Sequence, residues 1–482
     1  MPLNVGDTGY GSVADPGLSA SGAAGSSETA ALLELAGEDE QEWRPMSKEA
    51  LEESAGGPGW RKLRCYLVAL FWLAWAATLA TAVAVIVTSS RPAATPLVWW
   101  QQSLFLQLQP DLLNETPPEG LRALDALCDR LPYFKSLGIS ALILRGLLDP
   151  FNATESGPHI RRLLGQSDRA GLKMVLDVCG VQLFGTREGE NEEASNATQD
   201  ALRFWLGQGV AGFLICDTDA AYTEKSLMLW RSVLEEFNKE DEQRIVVVKQ
   251  TRELIPPLRV SGRRLNITLV DVVLRSVLPD SPRPLSAHQV AGAIETHLQM
   301  AADTWLGWTV GGKAPYDLRR LLLVLLMTLP GTPVVQYDQV EPAQGGNGSD
   351  SSDLTEKFKL KHSIVALFSS LSHNRAREEA LLSGSFTFLP FNDSSNATLS
   401  SPSSPPTLAF LRSWGCVHFL VLLNAASEPH SLDPAWGVSL PEAGVFVAST
   451  AMDRLGAVAL HTLVLRPREA VVVKLFEPGN YS

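Results

Sequence analysis

From Cys65 to Ser90 the chain carries no charged residue, and Leu, Val, Ala and Trp dominate the run. As a helix rising 1.5 Å per residue it spans about 39 Å, enough to cross a hydrocarbon layer of about 30 Å. No polar stripe interrupts it, as one would in a helix half-buried in a globular core. It lies too far along the chain, and runs too long, for a cleaved signal peptide. Before it, Ser47 is placed to cap a short helix containing Lys48 to Glu53, which Gly56, Gly57, Pro58 and Gly59 break. Beyond it the pattern alternates. Leu121, Leu124, Leu127, Cys128 and Leu131 recur at helical spacing, so Cys128 is expected on a buried face as a free thiol. Apolar runs at Ile139–Leu144, Lys173–Val178, Gly212–Ile215, Ile245–Val248, Leu269–Leu274 and Val334–Tyr337 read as strands, and Ala201–Leu206 and Leu318–Leu329 as helices.

Strand–helix alternation over residues 99–377 predicts a parallel sheet, and its length suits a (β/α)8 barrel. From residue 378 to 482 short runs (Phe386–Pro390, Leu408–Arg412, Cys416–Asn424, Ala470–Phe476) are separated by polar turns, which predicts an antiparallel β-sandwich domain. Residues 1–46 are rich in Gly, Ala, Ser and Glu and read as a disordered tail. Residues 47–64 are juxtamembrane, 65–90 the span and 91–98 a stalk.

Charge adds topology. Arg61, Lys62 and Arg64 precede the span and Arg91 alone follows closely, which predicts a cytosolic N-terminus and an external C-terminal domain, a single-pass type II arrangement. Eight N-x-S/T sequons all follow the span, although the chain has only thirteen asparagines. Asn114, Asn152, Asn196, Asn266, Asn347, Asn392 and Asn396 are candidate glycosylation sites; Asn480, at the chain's end, is expected to go unused. The net charge of -13 argues against a nucleic-acid partner. The five cysteines match neither a zinc site nor a disulfide framework, so no metal or cofactor is expected.

Several stretches, in order, resemble the α-amylase family of glycoside hydrolases: KMVLDV (Lys173–Val178), GVAGFLICD (Gly209–Asp217), TLPGTPVVQYDQVE (Thr328–Glu341), LAFLR (Leu408–Arg412) and LVLLN (Leu420–Asn424). SKEALEESAGGPGW (Ser47–Trp60), followed by LFWLAW (Leu70–Trp75), is similar to the heavy chain of heteromeric amino-acid transporters, solute carrier family 3 of the member 2 type. The α-amylase enzymes insert a loop domain after the third strand. Here the short interval between Val178 and Ala201 predicts that it is absent.

The resemblance implies a barrel without hydrolytic chemistry. The family's G-F-R-x-D strand reads Gly212, Phe213, Leu214, Ile215 and Cys216, so Cys216 stands at the nucleophile position. The acid/base position falls near Gln250, the His-Asp pair reads Trp308 and Thr309, and Asp177 alone is retained, with Val181 and Gln182 after it. Asp217 is one residue out of phase with the pocket face, and Glu253 three residues past its position. Asp177 is expected to act structurally, at a strand end. Cys179 and Cys216 each lie two residues beyond matched positions on neighbouring strands, and either pair as a disulfide or remain two free thiols.

The resemblance further implies an accessory subunit that binds, traffics and stabilises a multi-span light chain at the plasma membrane and so supports amino acid transport. The family's stalk cysteine is missing, since residues 89–100 contain none, so a non-covalent heterodimer is expected. Ala76, Ala80 and Ala84 form a small-residue row that suits either helix packing or lipid. The alternatives are an integrin-associated adhesion or signalling receptor and, against the residues above, a membrane-bound glycosidase.

Overall fold

The computed structural model describes residues 47–55, 57–88, 96–109, 120–146, 153–181, 192–219, 221–239, 242–251, 259–261, 266–278, 287–300, 304–311, 318–340, 351–389, 407–432 and 440–476. It divides into two compact units, residues 1–89 and 90–482.

In the first unit, helix Lys48–Ala55 begins with Ser47 Oγ accepting from the Ala50 N–H at 3.3 Å, the expected cap. A second helix runs Pro58–Thr88, with proline in its first turn where no N–H is missed. Its Gly59–Val85 stretch has the length and composition to cross a membrane. Within it the hydroxyls of Thr78 and Thr81 donate to Trp75 and Thr78 carbonyls at 2.8 Å, so neither polar group needs water.

The second unit is built on a closed parallel barrel of eight strands. They are β1 (Phe105–Leu108), β2 (Ala141–Arg145), β3 (Lys173–Asp177), β4 (Gly212–Cys216), β5 (Ile245–Lys249), β6 (Val272–Ser276), β7 (Trp305–Thr309) and β8 (Thr332–Gln336). β1 closes on β8 with Phe105 opposite Val334. Helices Gly120–Ser136, Ala153–Arg169, Glu192–Gly207, Glu224–Glu236, Ala287–Met300, Arg319–Thr328 and Ser351–Arg377 wrap it. Helix Glu192–Gly207 leads from β3 to β4 without an intervening domain. Buried Cys128 is unpaired.

Side-chain parity divides the barrel. Phe105, Ala141, Ile143, Val175, Leu214, Ile245, Val247, Val272, Leu274 and Val334 pack together inside it. Their alternates, such as Leu106, Leu142, Leu176, Phe213, Val246 and Val273, pack outward against the helices. Strands buried on both faces explain the uninterrupted apolar runs in the sequence.

The C-terminal region is a six-stranded sheet with a two-stranded ribbon, His430–Ser431 with Val464–Leu465. In chain order its strands are β9 (Ser385–Phe388), β10 (Thr407–Trp414), β11 (Val417–Asn424), β12 (Ala443–Ser449), β13 (Ala457–Ala459) and β14 (Ala470–Phe476). They pair antiparallel in the order β9-β10-β11-β14-β12-β13. One face (Leu408, Phe410, Phe419, Val421, Leu423, Val472) joins the core of the barrel helices. The other (Ala409, Leu420, Leu422, Val471, Val473) packs under Leu389, Leu460, Leu463 and Leu465. Helix Arg319–Thr328 lies where barrel and sheet meet. Its residues Leu321 to Thr328 are all buried, which accounts for its apolar character all round.

Candidate functional site at the barrel mouth

In barrels of this type the carboxyl ends of the strands form the functional face. Extending the inward parity to those ends places Gln107, Arg145, Asp177, Cys216, Lys249, Ser276, Thr309 and Gln336 around the mouth. One of these eight side chains is a carboxylate.

Asp177 is buried and both its oxygens are engaged. Oδ2 accepts from Gln107 Nε2 at 3.0 Å and Oδ1 from the Cys179 N–H at 3.1 Å. Burial pushes its carboxyl above the usual range, opposed by the Cys179 N–H, Arg145, Gln107 and Lys249. Arg145 is in register with it on β2. The arrangement holds the turn after β3 and ties β1 to β3.

Cys216, expected from the family resemblance to stand where the nucleophile would be, is joined to Cys179 by a disulfide with a Cα–Cα distance of 5.1 Å. Asp219 reinforces the bridge. Its Oδ1 accepts from the Gly180 N–H at 3.1 Å and its Oδ2 from the Cys216 N–H at 2.8 Å. One carboxylate therefore clamps the same two segments that the disulfide joins. The two sulfurs and an Asp219 oxygen lie within 4.8 Å of one another, but the bridge and the backbone N–H groups already occupy these atoms. They do not form a cation site.

The acid/base expectation needs correction. Gln250 lies one residue beyond β5 and shares the parity of the outward Val246 and Val248. Its neighbour Lys249 takes the inward position, in register with Cys216. Because β5 is apolar on both faces, its sequence did not reveal which residue at its end turns inward. Asp217 also sits outside the inward set. It is buried, and its carboxylate accepts from Thr251 Oγ1 at 2.6 Å and the Thr251 N–H at 3.0 Å. Thr309 faces inward; Trp308 faces outward, with its indole N–H donating to the Pro330 carbonyl at 2.6 Å. Gln182 and Glu253 lie outside the described residues.

A second polar group, unforeseen in the sequence, stands behind the mouth. Arg275, outward on β6, is buried beside Asp217 and Tyr222, and burial lowers its pKa against their opposing charge. His297, on helix Ala287–Met300, packs near Trp308 and is lowered to about 4 by burial and then by Arg275. The imidazole is neutral at physiological pH.

Of the other candidates, Asn196 is exposed on helix Glu192–Gly207, and Asn266 begins the hairpin strand Asn266–Thr268. Asn114, Asn152, Asn347, Asn392, Asn396 and Asn480 lie outside the described residues. Ala76, Ala80 and Ala84 are exposed on the apolar helix.

The geometry defines a class: an α-amylase-like barrel with a C-terminal antiparallel sheet, on a chain that also has an apolar helix of membrane-spanning length. Solved structures agree on the fold. Trehalulose synthase MutB from Pseudomonas mesoacidophila MX-45 is 14% identical with a TM-score of 0.57, covering 79% of this chain and 100% of that one. Isomaltulose synthase from Erwinia rhapontici NX5 is 13% identical with a TM-score of 0.54, covering 80% and 100%. At such identities the likeness carries the fold alone.

Sequence comparison goes further. Residues 34–106 match the family described as the solute carrier family 3 member 2 N-terminus. The amino acid transporter heavy chain SLC3A2 of Rattus norvegicus is 26% identical over 530 aligned positions, covering 95% of this chain and 95% of that protein. Its counterpart in Oryctolagus cuniculus is 27% identical, covering 93% and 92%. Over nearly its whole length the chain is thus similar to solute carrier family 3 member 2 heavy chains.

Proposed function

We propose that this protein is a non-catalytic accessory heavy chain, which binds a multi-span amino-acid transporter light chain and stabilises it at the plasma membrane. The observation that carries this reading is the near end-to-end relation to transporter heavy chains, spanning the apolar helix as well as the barrel. A single helix without charged residues between Cys65 and Val85 cannot enclose a polar pathway, so another chain moves the solute. The cationic flank Arg61, Lys62 and Arg64 supports a cytosolic N-terminus, and the sequons beyond the helix support an external barrel.

The absence of hydrolysis is supported by the mouth. Retaining glycosidases need two carboxyls about 5 Å apart. At the corresponding inward positions stand a disulfide sulfur and the Lys249 amine. Release of nitrophenol from a nitrophenyl glucoside above a mock-purified control would contradict this.

The decisive experiment is affinity purification of the full chain from membranes, read on reducing and non-reducing gels. A multi-span transporter is expected to co-purify, with no band at the summed mass of the two chains on the non-reducing gel. Replacing Ala76, Ala80 and Ala84 together by Leu should lower the recovered partner severalfold, because larger side chains hold a neighbouring helix away. Recovery of the heavy chain alone from membranes rich in transporters sinks the proposal, and an undiminished yield with the triple variant removes the alanine face from it.

A further inference from the structure

We propose that the Cys179–Cys216 bridge is a thiol–disulfide exchange site for an external protein dithiol, with Cys179 as the sulfur attacked and Cys216 as the leaving thiolate. The inference goes beyond the transporter role and does not depend on it.

Three observations carry it. Both cysteines lie at the barrel mouth and are only partly buried, whereas Cys128 is sealed within the core. The surroundings are polarised. The Cys179 N–H donates to the Asp177 carboxylate, while Cys216 is in register with Lys249. Asp219 flanks both sulfurs, and its oxygens are held by the Gly180 and Cys216 N–H groups. Asp219 flanks both sulfurs alike, so the difference between them is the register of Cys216 with Lys249, whose positive charge favours a developing thiolate at Cys216. Third, the Asp219 clamp joins the same two segments without using sulfur, so opening the bridge does not release them.

The exchange balances as a two-electron transfer. A thiolate of the dithiol attacks Cys179 Sγ, the Cys179–Cys216 bond breaks, and its electron pair leaves on Cys216 Sγ. The second thiol of the reductant then attacks its own sulfur in the mixed disulfide and releases Cys179. The reductant becomes a disulfide, and its two protons pass to the two cysteines.

The test uses the purified full-length chain, a thioredoxin-class dithiol protein and iodoacetamide, with labelled cysteines mapped by peptide mass spectrometry. Cys179 and Cys216 should label after reduction while Cys128 does not. A reductant whose resolving cysteine is replaced by Ser should be trapped on Cys179. Lys249→Met should slow reduction at least about threefold by raising the pKa of the leaving thiol. Labelling of Cys179 and Cys216 only together with Cys128 would show that the bridge opens only on unfolding and would overturn the proposal. Trapping on Cys216, or an unchanged rate in Lys249→Met, would overturn its polarity. Labelling of both before any reductant is added would overturn the bridge itself.

Discussion

The barrel mouth and the seam between barrel and C-terminal sheet both gather charged side chains, and they use them differently. At the mouth, Asp177 and Asp219 are acceptors for N–H groups at the start of loops, with cations nearby. At the seam, two guanidiniums are buried and donate to carbonyls. Arg375 Nη1 reaches the Met327 and Leu329 carbonyls at 2.9 and 3.1 Å, and its Nη2 the Gly331 carbonyl. Arg412, 0% exposed, reaches Ala380, Leu381 and Thr328 carbonyls at 3.2, 3.0 and 3.4 Å. Apart from that of Gly331, just before β8, these carbonyls end helices Arg319–Thr328 and Glu379–Leu382, where the backbone has acceptors to spare and the helix dipole favours a cation. At the mouth the carboxylates hold loops. The seam is a joint in which neighbouring cations hold helix ends.

The contrast predicts an order of sensitivity. Arg412→Ala should have the largest effect, lowering stability by about 3–5 kcal/mol, because it strands three buried carbonyl groups at once. Arg412→Lys should recover only part of the loss, since an ammonium cannot span acceptors on two helices as a planar fork does. Denaturant unfolding of the external region measures both. A loss below about 1 kcal/mol would mean the seam is no more demanding than a surface site. Burial draws Arg412 down to about 9, with Arg375 adding to the effect, and draws Arg375 down to about 10; both remain charged at neutral pH.

His297, behind the mouth, should give a smaller and pH-dependent effect. Its pKa is lowered to about 4, so the folded state holds a neutral ring while the unfolded chain takes a proton near pH 6.5. The stability this contributes is complete above pH 6.5. It is lost progressively as pH falls from there towards about 4, because protons then bind the unfolded chain preferentially. After allowance for solvent around a ring that is only partly buried, the loss is about 1–2 kcal/mol. The difference between wild-type and His297→Gln unfolding curves, taken from pH 7 to 4, isolates it from the carboxylates. A difference that does not change with pH would show that the ring titrates normally and that the wall behind the mouth is wet.

The sequence disclosed these regions unequally. The apolar helix, the barrel and most of its strands follow from a charge-free run and from apolar segments buried on two sides. Strands β1 and β7 did not, being four and five residues long with Gln107 or Gly307 inside them. Cys179 and Cys216 could be placed on adjacent strands, but no pattern chooses between a bridge and two thiols. Lys249 was missed by one residue, since IVVVK has no polar alternation to fix its phase. The seam was the least legible. Arg412 ends LAFLR and resembles the outward residue of a half-exposed strand, and the carbonyls that hold it are 31 to 84 residues away.

Thr309 offers the smallest and most discriminating effect. It points into the barrel from the end of β7, at 2% exposure, and its hydroxyl has no partner among the described residues. The family pattern puts an aspartate there. If the mouth has merely lost its chemistry, this hydroxyl is a buried polar group with little to do. Thr309→Val keeps the shape and removes it, so stability should be unchanged or raised by up to about 1 kcal/mol. The same unfolding assay used for Arg412 reads it directly. A loss above about 1 kcal/mol would show that the hydroxyl is bonded to water or to a neighbouring loop. The mouth would then be a joint of the same kind as the seam, with each buried polar atom engaged, and the distinction between the two regions would fall.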